Sequence, residues 1–342
     1  MYTDAVQGAI MLAGMGILLV LTYVYLGGVT AANSALEAMT PLVPENLAAI
    51  GMTGWTSMPE FGSPVWMTVI TTLVLGVGIG VLAQPQLAVR FMTAKDGKSL
   101  NRAVPMGALF IVMMTGVAFT VGPLTNVYFM ETTGQLALAA AGGNADSVIP
   151  LYINSAMPEL FVIIFMLTLL SAAMSTLSSL LHTMGTTLGG DMFARLKGKR
   201  YSVRANQIGI VVMMLASLAI AVVMPESIIA RATAMFMGLC TAALLPAFTH
   251  GIVAKRPSLL AAKWSMIAGA GGWLLWTMFA HTAESQALGI CNPLFGVNSL
   301  VASPWNYLDP LVVGTVLSVI VLLVLIPLDK NRITPEQQRS FV

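Results

Sequence analysis

Residues Leu160–Asp191 read LFVIIFMLTLLSAAMSTLSSLLHTMGTTLGGD, and the rest of the chain is best read outward from them. The stretch is too apolar for an aqueous surface, yet its second half carries Ser171, Ser175, Thr176, Ser178, Ser179, Thr183, Thr186 and Thr187. A helix in hydrocarbon gains nothing from hydroxyls that face lipid, so a dense set of them marks a helix contact, a polar cavity or an ion path. At helical spacing Ser171, Ser175 and Ser178 share one face, and Thr176, Ser179 and Thr183 form the stripe beside it. Two readings fit. A pair such as Ser175 and Thr176, helped by a backbone carbonyl one turn earlier, ligates a hard cation such as sodium; or each hydroxyl bonds the carbonyl at i−4 and the face only packs.

Of the 342 residues 57% are hydrophobic and 9% charged, against about a quarter charged in soluble domains. This composition belongs to an all-α integral membrane protein in contact with a lipid bilayer. It argues against nucleic acid as a partner, since no basic run exceeds Lys199-Arg200. Cys240 and Cys291 form neither a disulfide framework nor a metal-ligand spacing. His182, His250 and His281 show no HExxH or carboxylate pairing, there is no GxSxG elbow, and no acid pair falls within a span. An enzyme is therefore the weaker class, and no organic cofactor is expected. The N-terminus lacks a basic n-region and a cleavage site, so the first apolar segment is expected to remain as a spanning helix.

Hydropathy predicts about eight transmembrane helices, near 6–28, 65–90, 103–124, 158–190, 205–224, 229–253, 259–280 and 309–328. Basic residues follow the second span (Arg90, Lys95, Lys98, Arg102), the fourth (Arg195, Lys197, Lys199, Arg200, Arg204), the sixth (Lys255, Arg256, Lys263) and the eighth (Lys330, Arg332, Arg339). Only Arg231, of 16 Lys and Arg, lies elsewhere. By the positive-inside rule the loaded side is cytoplasmic, which places both termini inside a cell membrane crossed many times. Loops 29–64, 125–157 and 281–308 hold no Lys or Arg and read as external, with Trp55, Trp66, Trp305, Tyr128 and Tyr152 as interfacial anchors. Residues 1–329 are thus expected to form one transmembrane domain, followed by a short polar tail at 330–342.

The second span contains Gly76 and Gly80, a GxxxG pair suited to close packing, and then Gln84-Pro85-Gln86. Proline removes a backbone donor, so the helix is expected to break there and free carbonyls. The two amides then either contact a polar substrate at a broken helix or reach toward water from a kink near the cytoplasmic end. Gly238, Thr241, Ala242, Ala243 and Pro246 in the sixth span indicate close packing.

SAAMSTLSSLLHTMGTTLGGDMF, Ser171–Phe193, resembles the signature helix of the sodium:solute symporter family, the group of the proline, pantothenate and sodium/sugar symporters. The Ser175-Thr176 pair matches the family's hydroxyl pair, Ala172 falls at its carbonyl-donor position and Asp191-Met192-Phe193 matches its closing pattern. YTDAVQG, Tyr2–Gly8, resembles the family's WTD-x-x-Q motif, and AQPQLAVRFMTAKDGKS, Ala83–Ser99, its G-x-P-H-x-x-x-R-F segment. The resemblance implies a partial leucine-transporter-like fold of two inverted five-helix repeats. The first span is then the last helix of the first repeat, the helices at about 65–253 are the second repeat, and those at about 259–328 are peripheral. It implies a sodium-coupled symporter of a small organic solute, with Na+ held by the Ala172 carbonyl and the Ser175 and Thr176 hydroxyls, and with Gln84 and Gln86 facing substrate.

Two departures accompany the match. Gln86 stands where the family has histidine, and the chain starts at the WTD-like motif. An N-terminally truncated transporter is therefore expected, the rival being a non-transporting fragment or half of a split system whose partner chain supplies the missing helices.

Overall fold

The computed structural model describes residues 2–92, 94–193, 203–223 and 229–329. Arg195, Lys197, Lys199 and Arg200 of the basic loop and the tail at 330–342 lie outside the described residues. All regular structure among the described residues is helical. The long helices are α1 (Tyr2–Tyr25), α2 (Pro64–Ala83), α3 (Gly97–Thr133), α4 (Glu159–Phe193), α5 (Val203–Val223), α6 (Ile229–Val253), α7 (Leu259–Phe279) and α8 (Pro310–Leu328). Seven are long and apolar enough to cross a membrane; the eighth expected span, α7, is diluted by Lys263, Ser265 and its Gly and Trp residues and falls short of that composition. The described residues fall into two compact units, one within Met1–Thr40 and Ala94–Ile228, the other within Pro41–Thr93 and Ile229–Val342.

The first unit packs α1 against α3 and α4, and α4 against α5. The α1–α4 contact is close because Gly14 has no side chain: a Cβ there would run into the Thr168 hydroxyl. Hydropathy placed the third span at 103–124, yet α3 runs for 37 residues, about 55 Å at 1.5 Å per residue. Hydropathy marks only the apolar middle of a helix that continues through polar residues at both ends. At one end Asp96 caps it by accepting from the Ser99 N–H at 2.6 Å. The Ser99 hydroxyl and then its N–H hold the Asp96 carboxyl below the usual carboxylate range. Pro123 does not end the helix; beside it the Thr125 hydroxyl donates to the Gly122 carbonyl (2.6 Å) and the Asn126 amide to the Pro123 carbonyl (3.1 Å). Gly134, with φ 68, closes α3 by donating to Met130.

Tyr152 corrects one expectation. It is not an interfacial anchor but fully buried, on a helix at Ala145–Ala156, where its phenol donates to the Thr22 hydroxyl of α1 at 3.1 Å. The ring meets Tyr128 edge-on at 5.2 Å, which fixes this helix to α1 and α3. By contrast Leu160, Met106 and Phe119 are 70%, 70% and 68% exposed. Apolar faces of this extent need a cover of hydrocarbon or of other helices.

The second unit joins α2, α6, α7 and α8. Where α6, α7 and α8 meet, Ala242, Gly269 and Gly314 let backbones touch; a Cβ on Gly314 would lie 2.8 Å from the Gly269 carbonyl and 2.7 Å from Ala242 Cβ. Hydrocarbon offers no hydrophobic drive between helices, so such close van der Waals contact holds them together. The adjoining helix ends are tied at Ser258. Its N–H donates to His250 Nε2 (3.0 Å), its hydroxyl caps α7 by accepting from the Ala261 N–H (3.0 Å), and the same hydroxyl donates to Asp329 at the end of α8.

Candidate functional site

Ala172, Ser175 and Thr176 lie in the regular α-helical part of α4, Glu159–Gly185. Ser175 is half-buried and Thr176 exposed within its unit. The two readings of the hydroxyls now separate by position. Thr168 donates to Ile164, Thr183 to Ser179, Thr186 to His182 and Thr183, and Thr187 to Thr183, all at 2.9–3.0 Å. These threonines spend their protons on their own helix. Ser171, Ser175, Thr176 and Ser178 make no such bond within the described residues. Their oxygens, and the second lone pair of the Ala172 carbonyl one turn before Thr176, are free of intrahelical obligations. Below them α4 becomes π-helical at Thr186–Phe193. There it is pressed to α5, since a Cβ on Gly185 would meet Ile210 and one on Gly189 the Ala205 carbonyl.

The expected break in α2 is present and longer than the proline alone requires. The helix is π-helical over Thr68–Val77, α-helical over Gly78–Gly80 and 3-10 over Val81–Ala83, and the chain turns extended at Gln84 (φ −67, ψ 125) before Pro85–Met92 resumes as helix. π-Helix is rare and concentrated at functional sites. Both glycines of the GxxxG pair are packing contacts: a Cβ on Gly80 would lie 2.6 Å from Met237 Cβ, and one on Gly76 3.4 Å from Leu311. Gln84 is 7% exposed, and Gln86 Nε2 donates to its Oε1 at 3.0 Å. The amides therefore orient each other, leaving the Gln84 nitrogen and the Gln86 oxygen to offer one donor group and one acceptor. Beside the break an apolar cavity of about 410 Å³ is lined by Leu82, Ala83, Pro85, Phe248 and Met266 among others.

The structure thus joins Gln84 to Gln86 in one unit and sets Ala172, Ser175 and Thr176 together on one helix of the other. Among the described residues no group of three or more His, Cys, Asp and Glu has a metal-binding arrangement. Sequence reasoning missed the π-helical stretch and the Thr71 hydroxyl within it, which accepts from the Asp309 N–H at 3.0 Å. No local pattern signals a bond between residues so far apart in sequence.

Long apolar helices, one of them interrupted at Gln84-Pro85, define a multi-pass membrane protein. The chain belongs to the sodium:solute symporter family, whose model matches residues 1–269. It is 28% identical over 282 residues to the sodium/pantothenate symporter of Haemophilus influenzae, covering 80% of this chain and 53% of that protein. It is 23% identical over 278 residues to the osmoregulated proline transporter OpuE of Bacillus subtilis, covering 80% and 52%. The chain therefore spans about half the length of these curated relatives. Its fold matches that of a Na+-coupled sialic acid symporter, solved in a substrate-bound outward-open state, with a TM-score of 0.65 at 19% identity, over 97% of this chain and 63% of that one. The partial leucine-transporter-like architecture expected from the sequence is thereby shown.

Proposed function

We propose that the chain forms the second-repeat part of a sodium-coupled symporter for a small organic solute. Na+ is the coupling ion, held on this side by the Ala172 carbonyl and the Ser175 and Thr176 hydroxyls. Gln84 and Gln86 contact the solute at the broken helix, and sodium binding biases the population toward the state that accepts solute. The remaining ligands come from first-repeat helices beyond these 342 residues, on the same polypeptide or on a partner chain. The observation that carries the reading is the unspent Ser175-Thr176 pair on a helix whose neighbouring threonines all bond their own backbone. A ligand that binds only the folded state at 100 times its Kd adds about 2.7 kcal/mol of stability. Purified protein with the first-repeat helices supplied should therefore melt higher in sodium than in potassium. Identical melting in both salts, with those helices present, would overturn the reading.

The basic loops support an orientation with both termini in the cytoplasm. In intact cells a membrane-impermeant maleimide is expected to label Asp146→Cys and not Ser340→Cys. The reverse pattern would invert the assignment. Cys240 and Cys291 are both buried and give a low background.

A further inference from the structure

Where the end of α4 meets the start of α5, the two backbones lie against each other because Gly185, Gly189 and Gly209 have no side chains. A Cβ on Gly209 would lie 2.7 Å from the Gly185 carbonyl oxygen, and one on Gly189 would lie 2.8 Å from Asn206 Cα. Larger side chains are thereby displaced to the flanks of the contact. Leu188, Met192 and Phe193 of the π-helical part of α4, with Ala205, Ile208 and Val212 of α5, line a slot of about 310 Å³ there. The slot is open along one side, for Met192, Ile208 and Val212 are exposed. No polar side chain lines it, so it offers nothing to orient a polar solute or an ion. Its walls suit a hydrocarbon chain.

The same helix ends bear the densest positive charge in the sequence. From Asp191 to Arg204 there are five basic residues, Arg195, Lys197, Lys199, Arg200 and Arg204, against that one acid. Arg204 is exposed in the first turn of α5, one turn before Ile208 and on the same face of the helix. The chain leaves α4 at Phe193 and enters α5 at Val203, so the nine residues between keep their charge near the slot whatever path they take. An apolar slot beside a cluster of cations complements one kind of molecule, with a hydrocarbon chain and an anionic head. We propose that the slot seats an acyl chain of an anionic phospholipid whose phosphate is bound by Arg204. A guanidinium matches phosphate in two parallel hydrogen bonds, and the basic residues before it add attraction of longer range that salt screens. The slot and Arg204 lie within the first unit and use none of the hydroxyls assigned to sodium, so the proposal stands whether or not the chain carries that ion.

The first test needs no variant. The full chain is placed in phosphatidylcholine vesicles containing a phosphatidylglycerol that carries a photoactivatable diazirine in its acyl chain. After illumination, adducts are expected to concentrate in peptides covering 188–193 and 205–212, and to fall severalfold when phosphatidylcholine carries the label instead. Adducts spread evenly over the long helices, or equal labelling from the two lipids, would overturn the proposal. Native mass spectrometry of the full chain titrated with phosphatidylglycerol then reads the headgroup contact. Arg204→Ala should weaken binding about fivefold, the effect of one basic side chain at an anionic surface, and an unchanged affinity would overturn the assignment of the phosphate to that residue. Soluble glycerol 3-phosphate, a head without chains, should not displace the lipid. Displacement by it would show that the slot takes no part, and would also overturn the proposal.

Discussion

Sodium-driven solute uptake should need on the order of 10²-fold more sodium once Ser175 and Thr176 are both replaced by alanine. Each hydroxyl bound to a charged group contributes roughly 1–3 kcal/mol, and losing two such ligands raises the half-saturating concentration accordingly. Helix stability should not suffer. Neither hydroxyl bonds its own backbone, and alanine is the better helix former. The comparison variant is Thr183→Ala plus Thr187→Ala, which removes hydroxyls already spent on Ser179 and Thr183 carbonyls and should leave sodium half-saturation unchanged. Uptake measured in cells or proteoliposomes containing the complete set of helices checks both. An unaltered sodium requirement in the first double variant would remove these residues from the site.

The second large effect concerns α7. A Cβ at Gly269 would fall against the Ala242 carbonyl and lie 2.9 Å from Ser318 Cβ, so that even Gly269→Ala forces two backbones apart. Overpacking of this kind costs about 1–3 kcal/mol and more where neither side can yield, and Gly269→Leu is expected to abolish folded protein in detergent. Gly271, two residues on, faces open space with nothing within 4 Å of its Cβ position. There Gly→Ala should raise stability by about 0.5–1 kcal/mol through helix propensity alone. Melting temperatures of the two alanine variants, measured side by side, should move in opposite directions.

The helices were legible in the sequence because hydrocarbon imposes a simple demand: apolar side chains and every backbone group paired internally. The break at Pro85 and the close approaches at Gly76 and Gly80 were legible for the same reason, since a missing donor or a missing Cβ acts locally. The π-helical stretches of α2 and α4 were not, because Thr68–Val77 has the composition of an ordinary apolar helix. Nor was the fate of Tyr152, placed by hydropathy at the membrane surface; its partner Thr22 is 130 positions away, and only packing brings them together. For the candidate site, spacing put the hydroxyls on a shared face. It could not say which of them bond their own carbonyls, since an i−4 bond depends on side-chain rotamer as well as position.

The tie at Ser258 bears on how the protein can be re-engineered. One residue there receives the end of α6 through His250, starts α7 through Ala261 and holds the end of α8 through Asp329. A tag or fusion inserted between Ala254 and Pro257 would therefore pull on three helices at once, although Lys255 and Arg256 are exposed and look permissive. The turn at Gly142 and Gly143, also exposed and with nothing near either Cβ position, is the better place to open the chain.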